Sequence, residues 1–234
     1  HLGLGDRFWG GDIKAAFNHQ LAPCEINVDD LEKQPGGITI PTPVTYQKYR
    51  SIDSKTGRPR GFATPSKRIE LYSQAFLQHG YDPLPIYKEP ALSPVSTPDV
   101  AEKYPYILTC SKVLQFCHGQ HRSLPSLRKA VPYPYLEIHP KMARELNIDD
   151  GEWVLLETPD GSIKLKAKLT NKVAYKVVCT QEGWWQACPA LNLPGFDPYS
   201  SQGANLNMIF PTDVMDPISG SLPYKAYLCN VKKI

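Results

Sequence analysis

The alternation of apolar and polar positions is sharpest between residues 153 and 169. Ile163, Leu165, Ala167 and Leu169 share one face of a period-2 segment, while Lys164, Lys166 and Lys168 share the other. Trp153-Val-Leu-Leu-Glu-Thr precedes that segment across Pro159-Asp-Gly, so the pattern predicts a hairpin whose second strand is half-buried. Its lysine row then reads as a solvated face rather than a phosphate rail. Residues 104–109, 135–138, 173–180 and 226–231 are further strand-like runs, and Pro140 opens a short helix through Leu146. About six short strands, one firm hairpin and one intervening helix fit a closed, mainly β barrel better than a parallel doubly wound sheet.

Residues 1–95 follow another pattern. Ile13, Ala16, Phe17 and Leu21 recur at helical spacing behind Asp12, a suitable N-cap. A second helix is expected over 28–33, between Asn27 and the stop Pro35-Gly-Gly. Residues 38–60 form a proline- and lysine-rich extended stretch. Ile69-Glu-Leu-Tyr reads as a strand, and Ser73 caps a helix over 74–79 that Gly80 ends. Residues 81–103 carry five prolines and read as an extended linker. The chain is therefore divided into an irregular α/β segment, 1–95, and a β domain, 96–234.

Composition narrows the function. With 234 residues the chain has room for one large or two modest domains, and no apolar run nears the length of a spanning helix. A formal charge of +3 is too small to argue for a nucleic-acid partner. The six cysteines contain no CxxC pair, which argues against an iron–sulfur cluster, a structural zinc or a disulfide framework built from this chain alone. The start, His1-Leu-Gly-Leu-Gly-Asp, has neither an initiator methionine nor a signal pattern, and the chain reads as a fragment.

Candidate chemistry gathers in loops. Thr109, Cys110, Ser111 and Lys112 leave a buried strand, and Phe116, His118, Gln120 and Arg122 follow within ten residues of Lys112. Hydroxyl, amide and small residues with free backbone N–H groups suit an anion, which Lys112 and Arg122 can neutralise. The same loop is also compatible with a polar surface, or with a metal held by Cys117, His118 and His121, although a second ligand cluster is missing. Gln181 and Trp184 follow another strand. Trp184 and Trp185 cannot both enter one core from extended backbone, so one covers a ligand or plugs the fold. Asn205 and Asn207 lie on one face if extended, with mixed donors and acceptors for a heterocycle edge. Tyr224 and Lys225 precede the last strand.

These segments, in this order, resemble the C-terminal domain of the molybdopterin oxidoreductases, the dimethyl sulfoxide reductase family. The resemblance rests on Cys110-Ser-Lys with Phe116-Cys-His-Gly-Gln, on the segment from Tyr135 to Val154 with Asn147 where glycine is usual, and on Thr180-Gln-Glu-Gly-Trp-Trp. Gly203-Ala-Asn-Leu-Asn, Asp216-Pro-Ile-Ser-Gly before Lys225, and Arg60-Gly-Phe-Ala-Thr-Pro-Ser-Lys upstream complete it. It implies a double-psi β-barrel of the aspartate-decarboxylase-like type that binds molybdopterin guanine dinucleotide. The function implied is part of the catalytic subunit of a molybdenum or tungsten oxidoreductase, of the kind used in anaerobic respiration; this fragment alone would be inactive. Thr109, Cys110, Ser111, Lys112, Phe116, His118, Gln120, Gln181, Trp184, Asn205, Asn207, Tyr224 and Lys225 inherit cofactor contact. No residue here is a candidate protein ligand for the molybdenum or tungsten, and a 4Fe-4S cluster would lie in the earlier part of the subunit. The implied partners are the remainder of the catalytic subunit and an iron–sulfur electron-transfer subunit, with no nucleic acid and no direct membrane span. A freestanding small-molecule-binding or structural barrel is the alternative, and a zinc hydrolase using Cys117, His118 and His121 a weaker one. Twin-arginine export to the periplasm and a cytoplasmic location both stay open.

Overall fold

A computed structural model describes residues 3–234 and divides them into two compact units, one ending at Pro85 and the other spanning Ile86–Ile234.

In the first unit, Asp12 caps helix α1 (Ile13–Leu21) by accepting from the Ala15 N–H at 3.0 Å. Helix α2 (Val28–Glu32) opens with a reciprocal capping box between Asn27 and Asp30, and Asn18 of α1 accepts from the Val28 N–H at 2.8 Å. Ser73 caps helix α3 (Gln74–Gln78), and Gly80, at φ +78°, follows it. The strand expected at Ile69-Glu-Leu-Tyr does not form. Residues 64–70 fold on themselves instead, with Thr64 donating to the Arg68 carbonyl and Glu70 accepting from the Ser66 N–H. Such local side-chain bonds compete with sheet pairing. None of the described residues up to Pro85 is fully buried, and Ile13 and Phe17 are 68% and 51% exposed.

The second unit begins with helix α4 (Pro98–Lys103), where an extended linker was expected. Pro98 occupies a first-turn position, where a missing N–H costs nothing, so the proline starts a helix rather than prolonging a linker. The remaining elements are β1 (Tyr106–Cys110), α5 (Pro125–Arg128), β2 (Tyr135–Ile138), α6 (Pro140–Glu145), β3 (Trp153–Thr158), β4 (Gly161–Leu169), β5 (Val177–Thr180) and β6 (Tyr227–Lys233). The six strands close into a barrel in the order β1-β5-β2-β4-β3-β6. Two neighbouring pairs, β1 with β5 and β2 with β4, are parallel, and the other pairs are antiparallel. The mainly β barrel read from the sequence is thus the architecture. The expected hairpin is β3–β4, in the register Leu156↔Ile163 and Val154↔Leu165, and all four of these side chains are buried. Asn147 ends α6 in the left-handed conformation, φ +54°, that its amide side chain tolerates.

Leu108, Leu136, Ile138, Leu156, Ile163, Leu165, Val178 and Cys229 fill the interior. Burial raises the thiols of Cys229, Cys179 and Cys110 above their ordinary value of 9.0. The unfolded chain therefore releases these protons first, and stability is present below pH 9 and lost as pH rises through the folded-state values. Thermal melts are expected to shift down steadily above pH 9, by up to about 1.4 kcal/mol per pH unit for each fully buried thiol. Cys229→Ala should flatten that slope; an unchanged slope would remove Cys229 as its source.

Candidate functional site

Strands β1 and β5 end in register at Cys110↔Thr180. Because they are parallel, the loops that follow, 111–124 and 181–188, leave the barrel at the same end. The Ser111 N–H donates to the Thr180 carbonyl at 3.0 Å, and the Cys179 thiol donates to Ser111 Oγ at 3.2 Å. The segment before β6 reaches the same place. The Cys110 N–H donates to the Tyr224 carbonyl at 3.0 Å, while Lys225 Nζ donates to the Cys110 carbonyl at 2.6 Å. Tyr224 Oη donates in turn to Asn207 Oδ1 at 2.8 Å. Four stretches far apart in sequence therefore meet at one end of the parallel pair. Thr109, within β1, lies opposite Cys179 on the neighbouring strand.

Two buried arginines hold the loops together. The Arg122 guanidinium donates to the backbone carbonyls of His118, Gln120 and Glu182, and the Arg122 backbone N–H donates to Gln186 Oε1 at 3.0 Å. Arg128, fully buried at the end of α5, donates to four carbonyls: Pro132 at 2.8 Å, Arg122 at 3.2 Å, Gln186 at 2.9 Å and Pro194 at 3.0 Å. Both guanidiniums lie over the Trp184 ring, at 5.1 and 5.0 Å from its centroid, and Arg122 also lies 4.6 Å from Phe116. Phe116 meets Trp184 edge-on at 5.7 Å. Burial pulls the Arg122 guanidinium down to about 10, with Glu182 opposing the shift.

This arrangement corrects the reading of Arg122 and bears out one of the two alternatives left open for the tryptophan pair. Arg122 is not a free cation at the loop surface, because the carbonyls of two loops have drawn it inside. Trp184 is 1% exposed and packs as a plug, whereas Trp185 is the outward member of the pair at 39%. Two glycines allow the close approach. A Cβ on Gly119 would stand 2.3 Å from the Trp185 ring, and one on Gly183, at φ +83°, only 2.6 Å from Gly119 Cα.

Asn205 and Asn207 are not on an extended strand either. Asn205 caps a short 3-10 turn, Leu206–Ile209: its Oδ1 accepts from the Asn207 N–H at 3.1 Å and its Nδ2 donates to the Pro198 carbonyl at 2.8 Å. Both ends of that amide are thus occupied, while Asn207 stays exposed beside Tyr224. His118 Nδ1 lies 3.2 Å from Glu182 Oε1, and Gln120 is exposed. Gln181 is buried, with Oε1 accepting from Trp184 Nε1 at 3.3 Å. Lys112 is exposed, and among the described residues it forms no ion pair. Among the described residues no group of three or more His, Cys, Asp or Glu side chains is placed to hold a metal ion, so Cys117, His118 and His121 do not form a zinc set.

A cleft of about 400 Å3 runs from this junction along the outer faces of β2 and β4, lined by Ser111, Lys112, Tyr135, Lys166, Lys168 and Gln181 with Glu137 and Asp150. Its lysines belong to the row that periodicity assigned to a solvated face. Lys168 pairs with Glu137 at 3.0 Å and Lys166 lies 4.0 Å from the Tyr133 ring centroid. Sequence pattern alone could not place that row beside the 111–113 loop, since the juxtaposition comes from the β2–β4 and β2–β5 pairings.

A closed barrel whose parallel strands discharge into loops carrying an exposed ammonium, hydroxyls and amides has the donor set that suits a polar, anionic molecule. The family described as "Molydopterin dinucleotide binding domain" matches residues 106–228, which span β1 to the first two residues of β6, and the chain belongs to that family. It is 31% identical to acetylene hydratase of Syntrophotalea acetylenica over 243 aligned positions, covering 97% of this chain and 31% of that protein. Against dimethyl sulfoxide reductase DmsA of Escherichia coli the identity is 28%, over 82% of this chain and 23% of that protein. The solved structure of acetylene hydratase from Pelobacter acetylenicus superposes with a TM-score of 0.71 at 29% identity, over the whole of this chain and 31% of that one. The chain thus spans about a third of the length of the acetylene hydratases it matches. Among the described residues no helix is long and apolar enough to cross a membrane.

Proposed function

We propose that this chain is the C-terminal part of the catalytic subunit of a molybdenum or tungsten oxidoreductase and holds molybdopterin guanine dinucleotide at the junction of the 111–124 and 181–188 loops. The observation that carries this reading is the convergence of Ser111, Lys112, Gln181, Asn207 and Lys225, five residues from four separate segments, around the ends of β1 and β5. The donor set fits such a group. Lys112 and Lys225 supply positive charge and Ser111 a hydroxyl for phosphate oxygens, while Asn207 and the carboxylate of Glu182 suit the mixed edges of pterin and guanine. When bound, the molybdenum or tungsten pterin supplies the redox chemistry. The residues here bind and orient it: Lys225 is tethered on the Cys110 carbonyl, Tyr224 fixes the Asn207 amide, and the two buried arginines keep the loops closed over Trp184.

The proposed partner is the remainder of the same subunit, with a 4Fe-4S cluster in that remainder and an iron–sulfur electron-transfer subunit beyond it. The first unit supports this, because its apolar residues Phe8, Ile13 and Phe17 are exposed and want a cover. The decisive measurement is the guanosine nucleotide released by acid from the protein purified from its natural source. About two equivalents per polypeptide are expected from a pair of dinucleotides; none, from a folded enzyme, overturns the assignment in favour of a barrel without a redox cofactor.

A further inference from the structure

One polar atom at this junction has no role in the arrangement above. Arg122 is 2% exposed and its terminal nitrogens serve three carbonyls, yet its Nε–H has no hydrogen-bond partner. Leaving a buried charged donor unpaired is costly. Arg122 borders a small, partly open recess of about 10 Å3 whose wall also includes Ser111, Lys112, His118, Gln181 and Glu182. That volume matches a single water, and the wall offers the several polar partners that a buried water requires. Ser111 Oγ accepts from the weak Cys179 thiol donor, Gln181 Oε1 accepts from Trp184 Nε1, and among the described residues the Gln181 amide nitrogen has no hydrogen-bond partner. Among the described residues neither Arg122 nor Arg128 forms a salt bridge with a carboxylate.

We propose that Arg122 is a positioning residue for the anionic ligand: its Nε–H holds one buried water that fixes Ser111 and Gln181, and its charge, with that of Arg128, favours an anion over the 111–113 turn. A phosphate is too large for the recess, so the ligand's oxyanion meets Ser111 and Lys112 from the cleft side while the water supports them from within. This inference rests on the dinucleotide-binding reading above and assigns a task to a side chain that does not itself touch the ligand.

The test uses full-length holoenzyme as wild type, Arg122→Lys and Arg122→Gln. Each is gel-filtered at low and high salt, and acid-released guanosine nucleotide is counted per polypeptide. Arg122→Lys keeps the charge and loses the Nε–H, and should shed nucleotide about tenfold faster, the effect of one charge-assisted hydrogen bond. Arg122→Gln should shed it faster still and with a weaker dependence on salt, because a buried cation has been removed. Retention of nucleotide at the wild-type rate by Arg122→Lys would overturn the proposal. If either variant melts well below wild type, the crystal structure of the wild-type holoenzyme decides instead. A water bonded to Arg122 Nε and to Ser111 or Gln181 supports the assignment, and a dry recess or an Nε paired with a protein carbonyl defeats it. A wild-type enzyme that carries no nucleotide would strike the functional reading and leave the water to be judged on its own.

Discussion

Arg128→Ala is expected to destabilise the barrel unit by about 3–5 kcal/mol, read as a lowered urea midpoint. The cause is local. One guanidinium ties the carbonyls of Pro132, Arg122, Gln186 and Pro194, and truncation leaves these four acceptors, one buried and three part-buried, without their donor and opens a gap beneath the loops. It also removes a face of the Trp184 cage. Arg128→Lys should recover less than half of the loss, because three donors on a point charge cannot reproduce the planar fork that reaches four carbonyls. A midpoint within error of wild type for Arg128→Ala would show that the four bonds do not hold the loops.

Gly183→Ala is the second large effect, and it should act on ligand retention as well as on stability. Two penalties combine at this position. Alanine at φ +83° costs about 1–2 kcal/mol. Its Cβ would then stand 2.6 Å from Gly119 Cα and 3.0 Å from the His118 carbonyl, and those backbone atoms can give way only if the loops part. The total is expected to reach about 2–4 kcal/mol, with a loss of bound nucleotide larger than the shift in melting temperature suggests. Gly151→Ala separates the two contributions: Gly151 has nearly the same torsion, φ +82°, but nothing within 4 Å of its Cβ position, so only the conformational penalty of about 1–2 kcal/mol applies. Equal destabilisation by the two variants would mean that the loop contact at Gly183 is slack.

The barrel was legible wherever one face of a strand is buried and the other is wet. In β4 the alternation survives to the residue, so both the hairpin and its register follow from local order. Asn147 was legible for a different reason: only a few side chains tolerate the left-handed torsion at a helix end, and asparagine is one of them. Clustering of the candidate residues also followed from chain order, through the resemblance, although no periodicity could have brought Asn207 to Tyr224. Arg122 and Arg128 were illegible. Arginine's composition-level meaning is surface charge, and here its fate is decided by carbonyls at Glu182 and Pro194, some sixty residues away, whose directions no local pattern encodes. Asn205 shows the converse failure, since spacing suggested extended backbone while its own side chain closed a turn. At Ile69, β-branched and aromatic character was present but no strand lay alongside to pair with.

Strand β6 sits between β1 and β3, and Tyr224 and Lys225 immediately precede it. Of the six strands it is the last to be translated. Until it leaves the ribosome, β1 and β3 present open edges, and the ammonium that caps the Cys110 carbonyl has not been delivered. On the proposed reading, a complete seat for the cofactor exists only once Tyr224, Lys225 and β6 have joined the barrel. A nascent polypeptide stalled before residue 224 would offer chaperones two sticky edges and offer the cofactor an unfinished seat.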